Sequence, residues 1–469
     1  MALSRIWSAF ILIAIIAASF TAIFTEGGQG IFNKMVVGKA GDTSATQVYD
    51  SSRAPAKALA LLGNASSFKK GEDRLLRTAS HQIIIYKEQS ADGVIETCKG
   101  AVNICIGLIG IMTLFMGFMS IAERAGGIRM LSRIIGPFFS KIFPELPKNH
   151  PAMGHMMMNF SANLLGLDNA ATPFGIKVME SLQELNPDKD RASNSQIMFL
   201  CLHAAGLTLI PVSIIAVRAS TKAINPTDIF IPCMIATFVG TMAAMFIVAF
   251  KQKINVFTPV ILSWVLGISA GIVGLVVYIK TLTFAGVQNF SGLLSNGLIL
   301  LIFLLIIAGG LYKKIDLFSA FIDGAKEGFE TAIKIIPYLV GMLVAISLLR
   351  NSGVFEVAIN GLKTGFAALG LDTRFVDGLP TALVRPFSGG AARGMMVDTM
   401  KTYGADSFAG RLSCILQGSS DTTFYVVAVY FGAVSIKNTR YAIGAMLLAD
   451  LVGIITSITL CYLFFGSSI

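Results

Sequence analysis

Apolar residues run along this chain in long blocks separated by short polar ones. Blocks at 6–24, 102–121, 228–250, 257–279, 293–311, 332–349 and 440–464 match the span of roughly 20 residues that a helix rising about 1.5 Å per residue needs to cross about 30 Å of hydrocarbon. They predict seven spanning helices. The first has an apolar region too long for a signal peptide and no small-residue cleavage site before the polar segment, so it reads as a retained helix. Other apolar stretches are broken by polar residues: "NFSANLLGLDNAATPFG" and "LCLHAAGLTLIPVS" early in the chain, "LPTALVRPFSGGAARG" and "CILQGSSDTTFYVV" late.

The early and late pieces recur in one order. "GVIETCKGAVNICIGLIGIM" and "GFETAIKIIPYLVGMLVAIS" share Glu-Thr (Glu96/Thr97 and Glu330/Thr331) ahead of an apolar span. Amphipathic segments (128–143, 354–368), an interrupted piece and a second broken span follow each, with His203 opposite Gln417 and Thr208 opposite Thr422. The chain therefore reads as a duplication. Its units are a first repeat at 1–256 with a polar insertion at 35–88, a connecting transmembrane helix and loop at 257–289, and a second repeat at 290–469.

Charge then orients the units. Lys251 and Lys253, and the pair Lys313 and Lys314, close short connections, which places both in the cytoplasm. Traced from there, the basic amphipathic segment with Arg124, Arg129, Arg133 and Lys141 is cytoplasmic, while its counterpart around Lys363 and the insertion 35–88 lie outside. The two halves face opposite ways, and the trace closes when the interrupted pieces 152–184 and 376–403 are re-entrant. The expected fold is an all-α polytopic membrane protein, an inverted-topology repeat with two re-entrant or broken-helix hairpins.

A composition of 54% hydrophobic and 14% charged residues, with a mean hydropathy of +0.71, excludes a soluble domain of this length. The net charge of +10 is spread over the loops, as topology demands, and does not point to nucleic acid. The six cysteines lie within or beside apolar spans without a CxxC pair and read as structural thiols. No phosphate-binding loop, HExxH, GxSxG or dinucleotide fingerprint is present, so an ATP-driven pump or an enzyme is not indicated, and no cofactor is expected.

Within the broken pieces lie the candidate site residues. A broken helix in hydrocarbon leaves backbone groups unpaired, and an ionised Asp costs about 2.5 kcal/mol or more, so such segments belong in protein interior or beside a wet cavity. The first hairpin offers Asn159, Asn163, Asp168, Asn169 and Thr172, as ligand contacts or as caps of the broken helices; the span after it offers His203, a lining residue or a satisfied core histidine, and Thr208. The second hairpin offers Arg385, Ser388 and Arg393; each arginine is a clamp for solute or the partner of Asp421 or Asp398. The densest cluster is Gln417, Ser419, Ser420, Asp421, Thr422 and Thr423. His150 and His155, without a carboxylate or thiol pair beside them, read as loop and helix-start residues rather than metal ligands.

"NFSANLLGLDNAATPFGIKVMESLQELNP" resembles spore maturation protein A, and "LVRPFSGGAARGMM" with "YGADSFAGRLSCILQGSSDTTFYVVAVYFGAVSIKNTRYAIGAMLLADLVG" resembles spore maturation protein B. The first resemblance covers about 1–34 and 89–250, the second 290–469, so the chain looks like a fusion of the two. It implies the nucleoside-recognition or Gate domain, shared with concentrative nucleoside transporters and the membrane part of ferrous-iron transporters. The insertion departs from that pattern, as a small cap or a disordered arm. Secondary transport of a small polar, nucleoside-like solute across a bacterial inner membrane is the leading expectation, with a coupling cation and a homo-oligomer left open. The alternatives are a non-transporting partner in spore or envelope maturation, an ion or metal route, and an intramembrane enzyme.

Overall fold

A computed structural model describes residues 2–25, 30–50, 67–70, 73–77, 82–147, 150–164, 168–282 and 284–466. Among them, seven helices are long and apolar enough to cross a membrane, each containing one of the predicted apolar blocks or most of it. The first half runs through α1 (Ala2–Phe24), α2 (Ile31–Val36), α3 (Val94–Arg124), the amphipathic α4 (Gly127–Ile142), a hairpin of α5 (Pro151–Leu164) and α6 (Asp168–Leu185), a broken pair α7 (Asn194–Ala205) and α8 (Val212–Ser220), and α9 (Phe230–Gln252). After α10 (Pro259–Thr281), the second half repeats the order: α11 (Phe284–Tyr312), α12 (Leu317–Asn351), α13 (Val354–Ala368), hairpin α14 (Leu379–Val384) and α15 (Gly389–Tyr403), broken pair α16 (Phe408–Gly418) and α17 (Thr423–Val426), and α18 (Ala442–Phe465). A turn of π-helix, Val427–Phe431, continues α17.

The two longest helices, α3 and α12, form the central seam. Ala320, Gly324, Gly328 and Ala332 recur every four residues on one face of α12, and both alanines are fully buried. A Cβ on Gly324 would lie 2.3 Å from the Met116 carbonyl oxygen, and one on Gly328 2.6 Å from that of Met112. Only glycine admits backbones this close, the small-residue packing that replaces the hydrophobic effect between helices in lipid. Since Met112 meets Gly328 and Met116 meets Gly324, the two helices are antiparallel. Corresponding helices of the two halves therefore point in opposite directions.

Hydrogen bonds sort the loops into two ends. Before and after the first hairpin, Glu145 and Asn194 meet at 2.7 Å, and Gln252 at the end of α9 donates to the Asn194 carbonyl at 2.7 Å. Arg124 pairs with Asp323 at the same end of the seam. Around the second hairpin, the Tyr403 hydroxyl donates to Asp377 at 3.0 Å. Each hairpin thus returns to the end it left, and the two open toward opposite ends.

Loops also join the halves. At one end the Ala192 N–H donates to the Asn438 carbonyl at 2.9 Å, and the Lys437 and Asn438 N–H groups donate to the Asp190 carbonyl at 3.0 Å each. At the other, the fully buried Arg218 reaches the Ala405 carbonyl at 2.7 Å, Asp228 at 2.8 Å and Asp406 at 3.1 Å, while Arg411 meets Asp228 at 2.8 Å. Two buried guanidinium groups facing two carboxylates and several carbonyls satisfy one another, as buried charge requires.

The all-α class describes the membrane body. The insertion adds a four-stranded antiparallel sheet, β1 (Gly38–Asp50), β2 (Ser67–Lys70), β3 (Asp73–Arg77) and β4 (Gln82–Asp92), in the order β1-β4-β3-β2. Its root is narrow: Gly38 has φ +93°, and a Cβ on Gly93 would lie 2.4 Å from the Gly38 nitrogen.

Candidate functional site

Both breaks have local causes. Ser193 and Gln196 form a capping box that starts α7, and Gly206 ends it at φ +60°, a left-handed turn that favours glycine. Ser407 caps α16 through the Gly410 N–H, and Ser419 to Thr422 leave the helix before α17 begins. The breaks then meet across the halves: the Asp421 N–H donates to the Ala204 carbonyl at 2.7 Å. Orphaned backbone groups of one broken helix are satisfied by the other.

Around this junction lies a cavity of about 660 Å³, bounded by both hairpins, both breaks and the middle of α3 and α12. Of the residues nominated from sequence, Asn163, Thr172, His203, Thr208, Arg385, Ser388, Arg393, Gln417, Ser420, Asp421 and Thr422 line it. The remaining ones stand elsewhere. Asn159 is buried behind the wall and donates to the Ala171 carbonyl at 2.6 Å, the Ser419 hydroxyl donates to the Leu416 carbonyl at 3.0 Å, and the Thr423 hydroxyl donates to Asp450 at 2.6 Å. The side chains of Asp168 and Asn169 lie outside the described residues.

His203 joins hairpin to break. Its Nδ1 lies 2.9 Å from the Asn163 amide nitrogen and 3.1 Å from Asn159 Oδ1, and its ring meets Tyr430 of the second half edge-on at 4.8 Å. Gln417, its counterpart, reaches the Gly389 carbonyl of the second hairpin at 3.4 Å. In each half, the last turn before the break thus holds that half's own hairpin.

The arginines divide in their partners. Arg385 donates to the Ser420 carbonyl and, at 3.2 Å, to the Thr422 hydroxyl, and stands 4.0 Å from Asp421, whose side chain is 43% exposed. Asp398, considered above as a partner for Arg385 or Arg393, instead pairs with Arg350. Two buried polar atoms of the wall, Arg385 Nε and Gln417 Oε1, have no hydrogen-bond partner among the described residues. Such groups cost roughly 1–3 kcal/mol each unless something in the cavity bonds to them.

Sequence reasoning missed Tyr338, Phe387, Tyr425 and Thr331 in the wall, because each sits in a run that reads as plain span or turn. Asp450 was missed for a similar reason: one acid among the apolar residues of 440–464 barely lowers the average hydropathy.

Antiparallel halves, hairpins opening to opposite ends and breaks crossing at a polar cavity define a polytopic membrane protein built as an inverted repeat. The family model described as Gate, nucleoside recognition, matches residues 105–221 and 332–437, one segment in each half. The chain is 49% identical over 177 residues to spore maturation protein B of Bacillus subtilis (strain 168), covering 37% of this chain and 98% of that protein. To spore maturation protein A of the same organism it is 42% identical over 156 residues, 33% of this chain and 80% of that protein. The chain belongs to the spore maturation protein A and B family, as a fusion of the two types.

Proposed function

We infer that the chain is a multi-pass protein of the cytoplasmic membrane that acts as a secondary permease for a small polar solute, nucleoside-like in its mix of planar ring and hydroxyl groups. The observation that carries this is the wall at the junction, where Arg385 Nε and Gln417 Oε1 are buried without partners among the described residues, beside Asp421 and Asn163. A donor, an acceptor, a carboxylate and an amide converge there with the rings of Tyr338, Phe387 and Tyr425. Its volume falls in the range of about 300–1,000 Å³ common for small-molecule sites. Hairpins opening to opposite ends supply the two gates that alternating access needs. The description of the matching family model, nucleoside recognition, favours the same solute class.

The test is a thermal-shift screen of the purified protein against nucleosides, amino acids, dicarboxylates and metal ions, followed by uptake of labelled hits into proteoliposomes. Stabilisation and saturable uptake of a nucleoside support the proposal. Stabilisation by metal ions alone would move the function to an ion route. No stabilisation and no uptake across the panel would leave a non-transporting role in envelope or spore maturation as the better account.

A further inference from the structure

Asp450 stands in the middle of α18, and its side chain is buried behind the second break. Thr423 donates to its Oδ2 at 2.6 Å, Ser420 is its second hydroxyl neighbour, and among the described residues no Lys or Arg forms an ion pair with it. Arg385, the nearest cation, is taken up by the Ser420 carbonyl and the Thr422 hydroxyl. A lone carboxylate at this depth of a spanning helix is expensive and marks ion or proton pathways more often than packing.

The other half shows that packing does not require it. Gly240 on α9 and Gly453 on α18 both approach the break, each with its Cβ position 3.6 Å from the Ser419 carbonyl oxygen. Three residues before each glycine stands a side chain that faces the break of its own half: Thr237, whose hydroxyl receives the Thr208 N–H at 3.5 Å, and Asp450, which receives Thr423. A neutral hydroxyl serves in the first half where the second carries an acid. The charge is surplus to holding the break.

We propose that Asp450 is the coupling site of the permease: its carboxylate takes a proton from cavity water past Ser420, which lines the cavity and neighbours the carboxylate, and returns it to water on the opposite face. This rests on the transport function inferred above. Only the O–H bond forms and breaks in the step. The titratable and charged groups that face Asp450 or its neighbour Asp421 are Asp421 and Arg385 at the break and, from α7, Cys201 beside Asp450 and His203 beside Asp421. The other elements packed on α18 leave it alone: α9 is charged only at Lys251, far from the break, and its Cys233 faces the Asp228 cluster, α11 carries no charge, Tyr425 of α17 lines the cavity, and Arg411 and Cys414 of α16 face the Asp228 cluster. Asp421 and Arg385 are the charges that act on Asp450 from the break, so solute bound beside them would change the field at its carboxylate.

The experiment uses Asp450→Thr, the first half's own solution, with Asp450→Asn as a second variant should the first not fold. In proteoliposomes with uridine as the probe, the variant should keep uridine counterflow within about twofold while accumulation driven by a pH gradient falls at least about tenfold. In parallel, the infrared band of a protonated carboxylic acid that titrates in the wild type should vanish in Asp450→Thr and persist in Asp421→Asn. Undiminished pH-driven accumulation by the variant, accumulation driven by sodium in place of protons, or an unchanged carboxyl band would each overturn the proposal. If the wild type moves no uridine, transport of that solute fails while the infrared arm still decides whether Asp450 carries the proton.

Discussion

Asp421→Asn separates a binding carboxylate from a structural one. Asp421 and Arg385 are 4.0 Å apart, at the edge of ion-pair contact, and the Asp421 side chain is 43% exposed to the cavity. A pair so hydrated contributes about 1 kcal/mol or less, because water screens it. The amide keeps an oxygen to accept the Thr422 N–H, now at 2.7 Å from Oδ1, and Arg385 keeps the Ser420 carbonyl and the Thr422 hydroxyl. Melting of the purified variant should therefore shift by only about 2 °C. Function should respond differently. If the carboxylate accepts a hydrogen bond from solute, losing its charge removes roughly 1.5–3 kcal/mol, a fall in uptake at subsaturating uridine of about 10- to 150-fold. A buried, obligatory ion pair predicts the reverse: stranding Arg385 would cost about 3–5 kcal/mol, expression would collapse, and Asp421→Asn with Arg385→Gln would restore folding. A folded Asp421→Asn that takes up uridine at the wild-type rate would refute the role given to the carboxylate, and a variant rescued in stability by the second change would refute the energetics.

Gly324→Ala should cost about 1–3 kcal/mol by overpacking, since its Cβ would start 2.3 Å from the Met116 carbonyl oxygen, whereas Gly110→Ala, with nothing within 4 Å, should be neutral or gain about 1 kcal/mol of helix propensity. Equal melting temperatures for the two would contradict the close seam. Arg218→Ala should lose about 3–5 kcal/mol by leaving Asp228 and Asp406 short of a partner, read as a fall in melting temperature and yield; an unchanged melt would show the cluster to be dispensable. Cysteines placed at Ser44 and Lys314 should label from opposite faces of the membrane, and labelling of both from one face would contradict the inverted arrangement.

The spans were legible because roughly 20 apolar residues in a row seldom form anything but a membrane-crossing helix, and the breaks because Asn, Ser, Thr and Gly inside such rows are costly in lipid. Contacts were less so. Sequence alignment of the halves set His203 opposite Gln417, and the structure gives each a bond to its own hairpin, yet nothing in the spacing revealed that Asn159 and Thr423 turn away from the cavity. That depends on which face of a short, interrupted helix meets a neighbour: the four residues of α17 are too few to fix a periodicity, and α5 is apolar around most of its circumference. The partner of Asp398 was hidden for another reason: Arg350 sits at the end of α12, 48 residues earlier, where it reads as a boundary charge. The inserted sheet escaped because its polar sequence has no lipid to read against.

The relative orientation of the halves is a matter of parity. The first half ends at the face where Gln252 meets Asn194, while α11 must begin at the other, where Thr227 of the first half meets Asn296 at 2.6 Å. An even number of crossings between them would leave the halves facing the same way. α10 supplies the odd one, and its surroundings suit a plain crossing, since only 6% of its most apolar window is buried and its main contact in the protein is with α4, including Trp264 beside Phe138 at 6.3 Å. Its sequence should therefore be exchangeable for another apolar helix of equal length, while its deletion would flip the second half and abolish the junction without touching a single residue of it.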